Sequence, residues 1–470
     1  MFFRKNEEEI NCDIDDQECL SKHMSHIEKK NTVYKRTKMS NFGLKLNSLY
    51  SQMSMFKIIR ITIISAIFFG IISVFFVKNV GIYNFGLAAF GQSFARILTT
   101  VLKEDQVSIA VRNLIDQFVF WIAYIILSIP IFIFGYKKIG KVFTNITVLF
   151  LVVSSVVSFS IGLIPGANNI YLIGNFDNNQ IKAILPEYKK PLSGIIPLLW
   201  NDGGNIIALM IYSIAYGYML AYVFAIIQII GGTAGVTGVI GEWYANEKQK
   251  SFGSISGYMN IIIVFISVLV GSWLPGSLLL KEAQTLEYNK LNLVLKEMVH
   301  SNANVKSVEA LINSIESGKV KINNGLDTLS AIGELKDYVS TLKITSKAWT
   351  FELYLSPNFV ATVLTNIVYI IVLNKLYPKF KLVRLEIFSN KCEEIQSKIN
   401  KDKKIVTGMT IFSAKGGYTG EPVKVVTSIA LFRHVVRIMK DVRKVDSEAF
   451  ISVSDVSSID GFIYLPEDKF

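Results

Sequence analysis

The chain has 470 residues, of which 51% are hydrophobic, 12% aromatic and only 18% charged, and its formal net charge is +12. So apolar a composition excludes a disordered chain, and Cys12, Cys19 and Cys392 are too few for a disulfide-stapled secreted domain. Soluble globular chains carry about 25% charged residues, so the class that remains is a polytopic membrane protein with soluble appendages. In that class a basic excess marks the cytoplasmic face. The expected partner is the lipid bilayer, and no nucleic acid.

Residues 1–55 form a charged tail without a core and are predicted to be disordered. Cys12, Cys19, His23 and His26 lie in it. Nitrogen and sulfur ligands suit zinc, but the first spacing is wider than in structural sites, so no metal or cofactor is predicted.

A run of about 20 apolar residues crosses the ~30 Å hydrocarbon core. Six stretches meet that requirement: 56–77, 118–136, 146–164, 206–230, 255–274 and 359–377. None is a cleaved signal peptide, because a long charged run precedes the first. Lys29, Lys30, Lys35, Arg36, Lys38, Lys45 and Lys57 precede the first span; Lys137, Lys138 and Lys141 separate the second and third; Lys379, Lys381 and Arg384 follow the last. These clusters fall on one face of the membrane, which places both termini in the cytoplasm of a multi-pass cell-membrane protein. Residues 281–352 then lie outside as an extracytoplasmic helical insertion, with Val305, Val308, Leu311, Ile312 and Ile315 at helical spacing. The sixth helix falls in 353–378.

Within the membrane region, 56–280 and the sixth helix, each half runs as a span, a Gly-rich re-entrant-type interruption and two more spans. The interruptions are Gly81–Ser93 and Gly231–Gly241. An odd number of spans per half turns the second half over, giving a 3+3 inverted repeat, and interrupted segments in matching positions point to a binding site. Unwound backbone at membrane depth is tolerated only when buried or lining a polar cavity. Its N–H and C=O groups can then act as ligands, and helix N-termini favour anions. The predicted substrate-binding residues are Gly86, Gly91, Gln92 and Ser93 from the first stretch, and Gly231, Gly232, Thr233, Gly235, Thr237 and Gly238 from the second. The competing reading is that these small residues only let helices approach closely. Asn84 and Gln228 lie near the same depth, to be satisfied by ligand or by neighbouring helices. Arg96 and Glu242 each follow a Gly-rich stretch, functional if buried and otherwise snorkelling to an interface.

From Lys381 the pattern shifts to short alternating runs. Strands are predicted at 381–389, 407–414, 422–430 and 449–456, with helices at 390–400 and 431–443. The order β-α-β-β-α-β is that of an α+β ferredoxin-like domain occupying 379–470. Between its middle strands lie Lys415, Gly416, Gly417, Tyr418, Thr419 and Gly420. Consecutive glycines let amides converge on an anion beside Lys415, with Tyr418 available to stack, so this loop is the predicted regulatory ligand site. A plain hairpin turn is the alternative.

Gly231–Ile240 resembles the second-repeat signature of the YitT family of bacterial membrane proteins. Residues 407–461, with the loop 416–420 and Asp446–Val453, resemble that family's C-terminal domain of unknown function. The likeness covers 56–280 and 361–462. The sequence departs from the family at Gly235-Val236 and Thr237-Gly238, where the family carries Gly-Gly and a following Asp. A cation- or proton-coupling role for that carboxylate is therefore not carried over. The resemblance implies a cell-membrane protein with a cytoplasmic regulatory-type domain.

No nucleophile–base–acid set, catalytic acid pair or P-loop occurs, so no enzymatic activity is predicted. The expected function is a secondary transporter of an unknown small solute, working by alternating access. Its C-terminal domain would regulate it by binding a small cytosolic ligand or by dimerising into a homo-oligomer. The alternative is a non-transporting membrane-anchored sensor or scaffold acting through that domain. No filter motif supports a channel.

Overall fold

A computed structural model describes residues 46–50, 53–101, 109–164, 166–248, 250–298, 305–317, 328–401, 407–417 and 420–459. The chain falls into two units, Gln52–Pro378 and a second that joins Lys379–Asp468 to Met1–Ser51.

The larger unit is helical. Its elements are α1 (Met55–Lys78, with a π-helical last turn), α2 (Leu87–Val101), α3 (Ile109–Lys138), α4 (Lys141–Gly162), the short α5 (Asn179–Ile184), α6 (Gly203–Ile229) and α7 (Thr237–Lys248). There follow α8 (Phe252–Val268), joined by a π turn to α9 (Leu274–Met298), then α10 (Val305–Glu316), α11 (Thr328–Thr345), the one-turn α12 (Phe351–Tyr354) and α13 (Pro357–Leu376). Among the described residues, six helical runs are long and apolar enough to cross a membrane, and each overlaps one of the six predicted stretches. The fifth extends past its predicted end at 274 to Leu295, because Lys281–Leu295 stops being apolar without ceasing to favour helix. The insertion has its own core, in which Leu291 and Leu295 of α9 pack with Val308, Ile312 and Ile315 of α10 and Leu335, Val339 and Leu342 of α11.

Polarity in the bundle is inverted. Ile64 on α1, Val156 on α4, Ile262 on α8 and Ile371 on α13 are exposed, whereas Thr62, Ser128, Ser213 and Asn366 are buried. The helices pack in two parallel sets of pairs. α1 lies on α4 as α6 lies on α13, α2 on α3 as α7 on α8, and α3 on α4 as α8 on α13. Across the sets, α2 meets α8 as α7 meets α3, and α1 meets α6.

Each set contains one break, and the breaks are built alike. After α1 the chain turns at Gly81, whose φ is +79°; after α6 it turns at Gly231, whose φ is +96°. Two residues on, the buried N–H of Tyr83 donates to Thr362 Oγ1 on α13 at 3.1 Å, and that of Thr233 donates to Thr147 Oγ1 on α4 at 3.1 Å. Each hydroxyl also donates to the carbonyl four residues back, Asn358 O at 2.7 Å and Phe143 O at 2.9 Å. The first break then runs down α13. Asn358 Nδ2 holds the Gly81 carbonyl at 3.0 Å, Thr362 holds Tyr83, and the Phe85 ring sits 5.7 Å from that of Tyr369. At about 1.5 Å of rise per residue this is a descent of roughly 16 Å.

The Gly-rich stretches are thus shorter as unwound backbone than the sequence suggests. Gly91, Gln92 and Ser93 lie within α2, and Gly238 and Gly241 within α7, because helix resumes at Leu87 and Thr237.

The smaller unit has strands β1 (Leu382–Phe388), β2 (Met409–Lys415), β3 (Pro422–Leu431) and β4 (Phe450–Asp455), with helices α14 (Cys392–Lys401) and α15 (Phe432–Val445). These match the predicted elements within two residues at each end. The sheet order is β2-β3-β1-β4, all antiparallel. Val383, Leu385 and Ile387 face one core with Ile395 and Ile399 of α14 and Val435, Ile438 and Val442 of α15. Part of the N-terminal tail departs from the expected disorder: Asn47–Tyr50 forms a 3-10 turn, and Tyr50 packs against this core. An aromatic ring with an adjacent core to cover it is partly buried despite the charged sequence around it.

Replacing Thr362 or Thr147 by Val keeps the side-chain shape but leaves a buried N–H unpaired. Each is expected to destabilise the purified full-length protein by ~1–3 kcal/mol, read as a drop in melting temperature. Thr62→Val, whose hydroxyl bonds only Ile58 O in its own helix, is the near-neutral control. Equal effects at all three positions would contradict the pairing.

Candidate functional site

The two breaks bring two helix N-termini together. A Cβ placed on Gly86, which precedes α2 with φ +59°, would come 2.5 Å from Thr237 Oγ1 at the start of α7. Both residues border a cavity of about 560 Å³. Its wall has a stripe from α2 at helical spacing, Ala88, Gln92, Ala95, Arg96 and Thr99, facing a stripe of Leu151, Ser154, Ser155 and Ser158 on α4. Tyr124, Tyr216 and Phe224 supply aromatic surface, and residues from the 169–195 segment form one end.

Four of the ten predicted substrate residues border this cavity: Gly86, Gln92, Gly235 and Thr237. The other six are not in its wall. Gly91 lets α2 approach α3, since a Cβ there would lie 2.8 Å from Phe120 O. Ser93 donates to Ala89 O at 2.8 Å and reaches Ser267 O on α8 at 3.2 Å. Gly231 makes the turn, Gly232 abuts Ile146 on α4, Thr233 anchors through its N–H, and Gly238 abuts the Thr233 side chain. Asn84, which donates from Nδ2 to Gln92 Oε1 at 3.3 Å, also borders the cavity. Gln228 and Glu242 are buried outside its wall.

Sequence reasoning missed several residues of the wall. Lys78 closes α1 beside Asn79, and Asn260 is a lone polar residue between Met259 and Ile261 of α8; all three polar residues border the cavity. Arg96 is held inside: its Nη1 donates to Gly271 O at 3.3 Å and its guanidinium lies 5.8 Å from the Tyr83 ring centre. Asp177 and Lys182 border the cavity and form an ion pair with each other.

In the smaller unit, Lys415 and Pro422 are paired at the end of the β2–β3 hairpin. Gly416 N–H donates to Glu421 O and Gly420 N–H to Gly416 O, both at 2.8 Å, so the hairpin itself uses two of the loop's amides. Gly417 has open space around it. Tyr418 and Thr419 lie outside the described residues, as do Cys12, Cys19, His23 and His26. Among the described residues no group of three metal-ligating side chains occurs. At the end of β1 nearest this hairpin, Ser389 Oγ donates to Asp446 Oδ2 at 2.6 Å, and the Glu448 N–H donates to Oδ1 at 2.9 Å. The Ser389 hydrogen bond holds the Asp446 carboxyl below the usual carboxylate range, against the opposing effect of burial.

Residues 407–461 match the family described as an uncharacterized protein conserved in bacteria, DUF2179. Over most of its length the chain is similar to proteins of unknown function from mycoplasmas. It is 28% identical to the uncharacterized protein MG443 of Mycoplasma genitalium, covering 92% of this chain and 95% of that protein. It is 26% identical to the uncharacterized MG432 homolog of Mycoplasma pneumoniae, covering 91% and 92%. A protein encoded in the fibril gene 3' region of Spiroplasma citri is 21% identical over 59% of this chain and 62% of its own. No solved structure matches the chain.

Gly86→Ala is expected to lower the stability of the full-length protein by about 2 kcal/mol, from left-handed backbone strain and overpacking on Thr237. Part of that loss should be recovered in combination with Thr237→Ala. Gly194→Ala, in the same cavity wall with nothing within 4 Å of its added methyl, should be close to neutral.

Asp446→Asn should loosen the smaller unit by ~1 kcal/mol at neutral pH. The readout is thiol labelling of Cys392, which is 0% exposed, by dithiodipyridine in a Cys12→Ser, Cys19→Ser background. Because the folded carboxyl titrates below its unfolded value of about 3.9, the wild-type advantage is full above that value. It disappears as pH falls through the lower, folded value.

Proposed function

We propose that the chain is a multi-pass membrane protein, and that it is a secondary transporter moving a small solute by alternating access rather than an enzyme. The observation that carries this reading is the meeting of two broken segments, Gly86 against Thr237, in the wall of a cavity of about 560 Å³. The six apolar helical runs, with aliphatic residues outside and hydroxyl and amide residues inside, support a lipid-facing bundle. Lys and Arg at alternate ends of those helices support cytoplasmic termini.

The matched packing pairs support a 3+3 inverted repeat in which α1, α2, α3 and α4 correspond to α6, α7, α8 and α13. Gly81 with Gly231, and Tyr83 with Thr233, then stand at equal spacing in the two halves. In this orientation the 169–195 segment is extracytoplasmic and the cavity is reached from that side. Among the described residues only the first residue of α7 borders it, and the rest of α7 would form the cytoplasmic closure. Rocking one half against the other about the Gly86–Thr237 contact would move the opening from one face to the other.

For the smaller unit, the order β2-β3-β1-β4 around two helices supports a ferredoxin-like domain. With the resemblance to the YitT C-terminal domain, this supports a cytoplasmic regulatory role. Since the hairpin uses the Gly416 and Gly420 amides itself, dimerisation into a homo-oligomer fits that role better than an anion held by the loop. One finding favours the non-transporting sensor or scaffold: the family match is confined to residues 407–461.

The test is access to the cavity. In intact cells, a membrane-impermeant thiosulfonate applied outside should modify Ser155→Cys in the cavity wall, but not Ser128→Cys, which is 1% exposed and outside that wall. Labelling of Ser155→Cys only after permeabilisation would contradict the outward-open reading. A tail-less chain that still moves solute supports a carrier, whereas a phenotype sustained by the tail alone supports the sensor.

A further inference from the structure

Residues at matching places in the two halves meet different surroundings. The spacing along the chain that relates Gly81 to Gly231 and Tyr83 to Thr233 also relates Leu87 to Thr237, where α2 and α7 begin. By that spacing Lys78, Gln92 and Arg96 correspond to Gln228, Glu242 and Asn246. The remaining helices align through their contacts. A Cβ on Gly91 would meet Phe120 and Tyr124 of α3, and one on its counterpart Gly241 would meet Phe252 and Ser256 of α8. Leu151 and Ser154 follow Thr147 by one and two turns of α4, as Asn366 and Tyr369 follow Thr362 on α13.

Lys78, Gln92, Arg96, Tyr124, Leu151 and Ser154 all border the cavity, and none of their six counterparts does. The counterparts are packed away: Gln228, Glu242, Ser256, Asn366 and Tyr369 are buried. Among the described residues, Gln228 Nε2 and Oε1, Asn246 Nδ2 and Asn366 Oδ1 have no hydrogen-bond partner. Buried amides left unpaired cost free energy that an apolar side chain of similar size would avoid. Polar groups of this kind inside an apolar bundle mark a pathway. Tyr369, which stands where the open side has Ser154, closes the place. Its ring lies 5.7 Å from that of Phe85 and 5.1 Å from that of Phe224, and its hydroxyl is 3.1 Å from Ser256 Oγ.

We infer that Gln228, Glu242, Asn246, Ser256, Asn366 and Tyr369 line a second, latent cavity that opens to the cytoplasmic face when the outer one closes. The inference rests on the alternating-access reading and names the inward path of the solute. In an inverted repeat each half takes the other's conformation as access alternates. The helices α6, α7, α8 and α13 then line inside what α1, α2, α3 and α4 line outside. Opening parts Tyr369 from Phe85 and hydrates the amides. Side chains that both donate and accept fit a water-soluble solute with groups of both kinds, not a lipid tail.

The experiment is thiol labelling from the cytoplasmic side, in inside-out membrane vesicles, of full-length chains whose three native cysteines are replaced. A membrane-impermeant thiosulfonate should modify Gln228→Cys, Asn246→Cys and Asn366→Cys about tenfold or more faster than Val239→Cys, as a site open in a minor population would be. Val239 is the control because it is 0% exposed, packs against Gly135 of α3, and has a counterpart, Ala89, outside the cavity wall. Ser155→Trp, which fills the outer cavity and keeps it from closing, should slow the three reactions severalfold. The three positions lie on three helices, so a variant that does not fold leaves two.

Rates at these positions no faster than at Val239→Cys would overturn the inference. If spin labels at Ile173→Cys and Val101→Cys nonetheless show the outer mouth closing, alternating access stands and the inward path alone is wrong. Fast labelling that Ser155→Trp leaves unchanged would overturn the coupling of the two cavities, and with it alternating access, while leaving the path in place.

Discussion

A polypeptide can leave helical geometry inside an apolar bundle only if its freed amides find partners, and here two threonines supply them. Thr362 and Thr147 each accept one N–H from an unwound segment while returning their own proton to the helix that carries them. A hydroxyl suits this place because it donates and accepts at once, so neither the strap nor the helix keeps an unmet group. With each strap pinned, the positive-φ turns at Gly81 and Gly231 can aim it back along its neighbour. The descent brings the starts of α2 and α7 to the same point. Phe85, seated between the rings of Tyr216 and Tyr369, fixes the depth of the first strap by packing rather than hydrogen bonding.

The cavity is a consequence of this geometry. Two helices that begin in the interior leave the space beyond their tips unfilled, and α4 lines it with the short hydroxyl side chains of Ser154, Ser155 and Ser158. Small residues close the surrounding seams. Gly217 on α6 lies under the Thr365 carbonyl of α13, where a Cβ would come within 2.7 Å, and Gly257 on α8 receives Ile370. Apolar bulk is thereby directed outward, and the polar groups that need partners are gathered inside.

The periodic features were the legible ones. Six apolar runs and the β-α-β-β-α-β tail appear close to their predicted limits, except where α3 begins nine residues early at Ile109 and where α8 continues into the insertion. The tail elements were readable because alternation and amphipathic spacing are local, as in Val383, Leu385 and Ile387. The site was legible only in outline. Small residues serve turning, close packing and ligand contact alike, so Gly86 and Gly91 look the same in sequence though one borders a cavity and the other abuts a carbonyl. The partners that decide between those roles are remote. Thr362 is 279 positions from Tyr83, and Thr147 is 86 positions from Thr233. Lys78 and Asn260 carried no motif at all, and only the fold places both on one cavity.

The central claim is that the two halves meet at a shared point and exchange access between faces. Its most direct measurement is the distance distribution between spin labels at Ile173→Cys and Val101→Cys, both exposed beside the proposed outer mouth, in the full-length protein with its native cysteines replaced. Two populations, a longer one for the outward-open arrangement and a shorter one for its closure, with their ratio shifted by a bound solute, are predicted. A single distribution that no solute displaces would contradict the account.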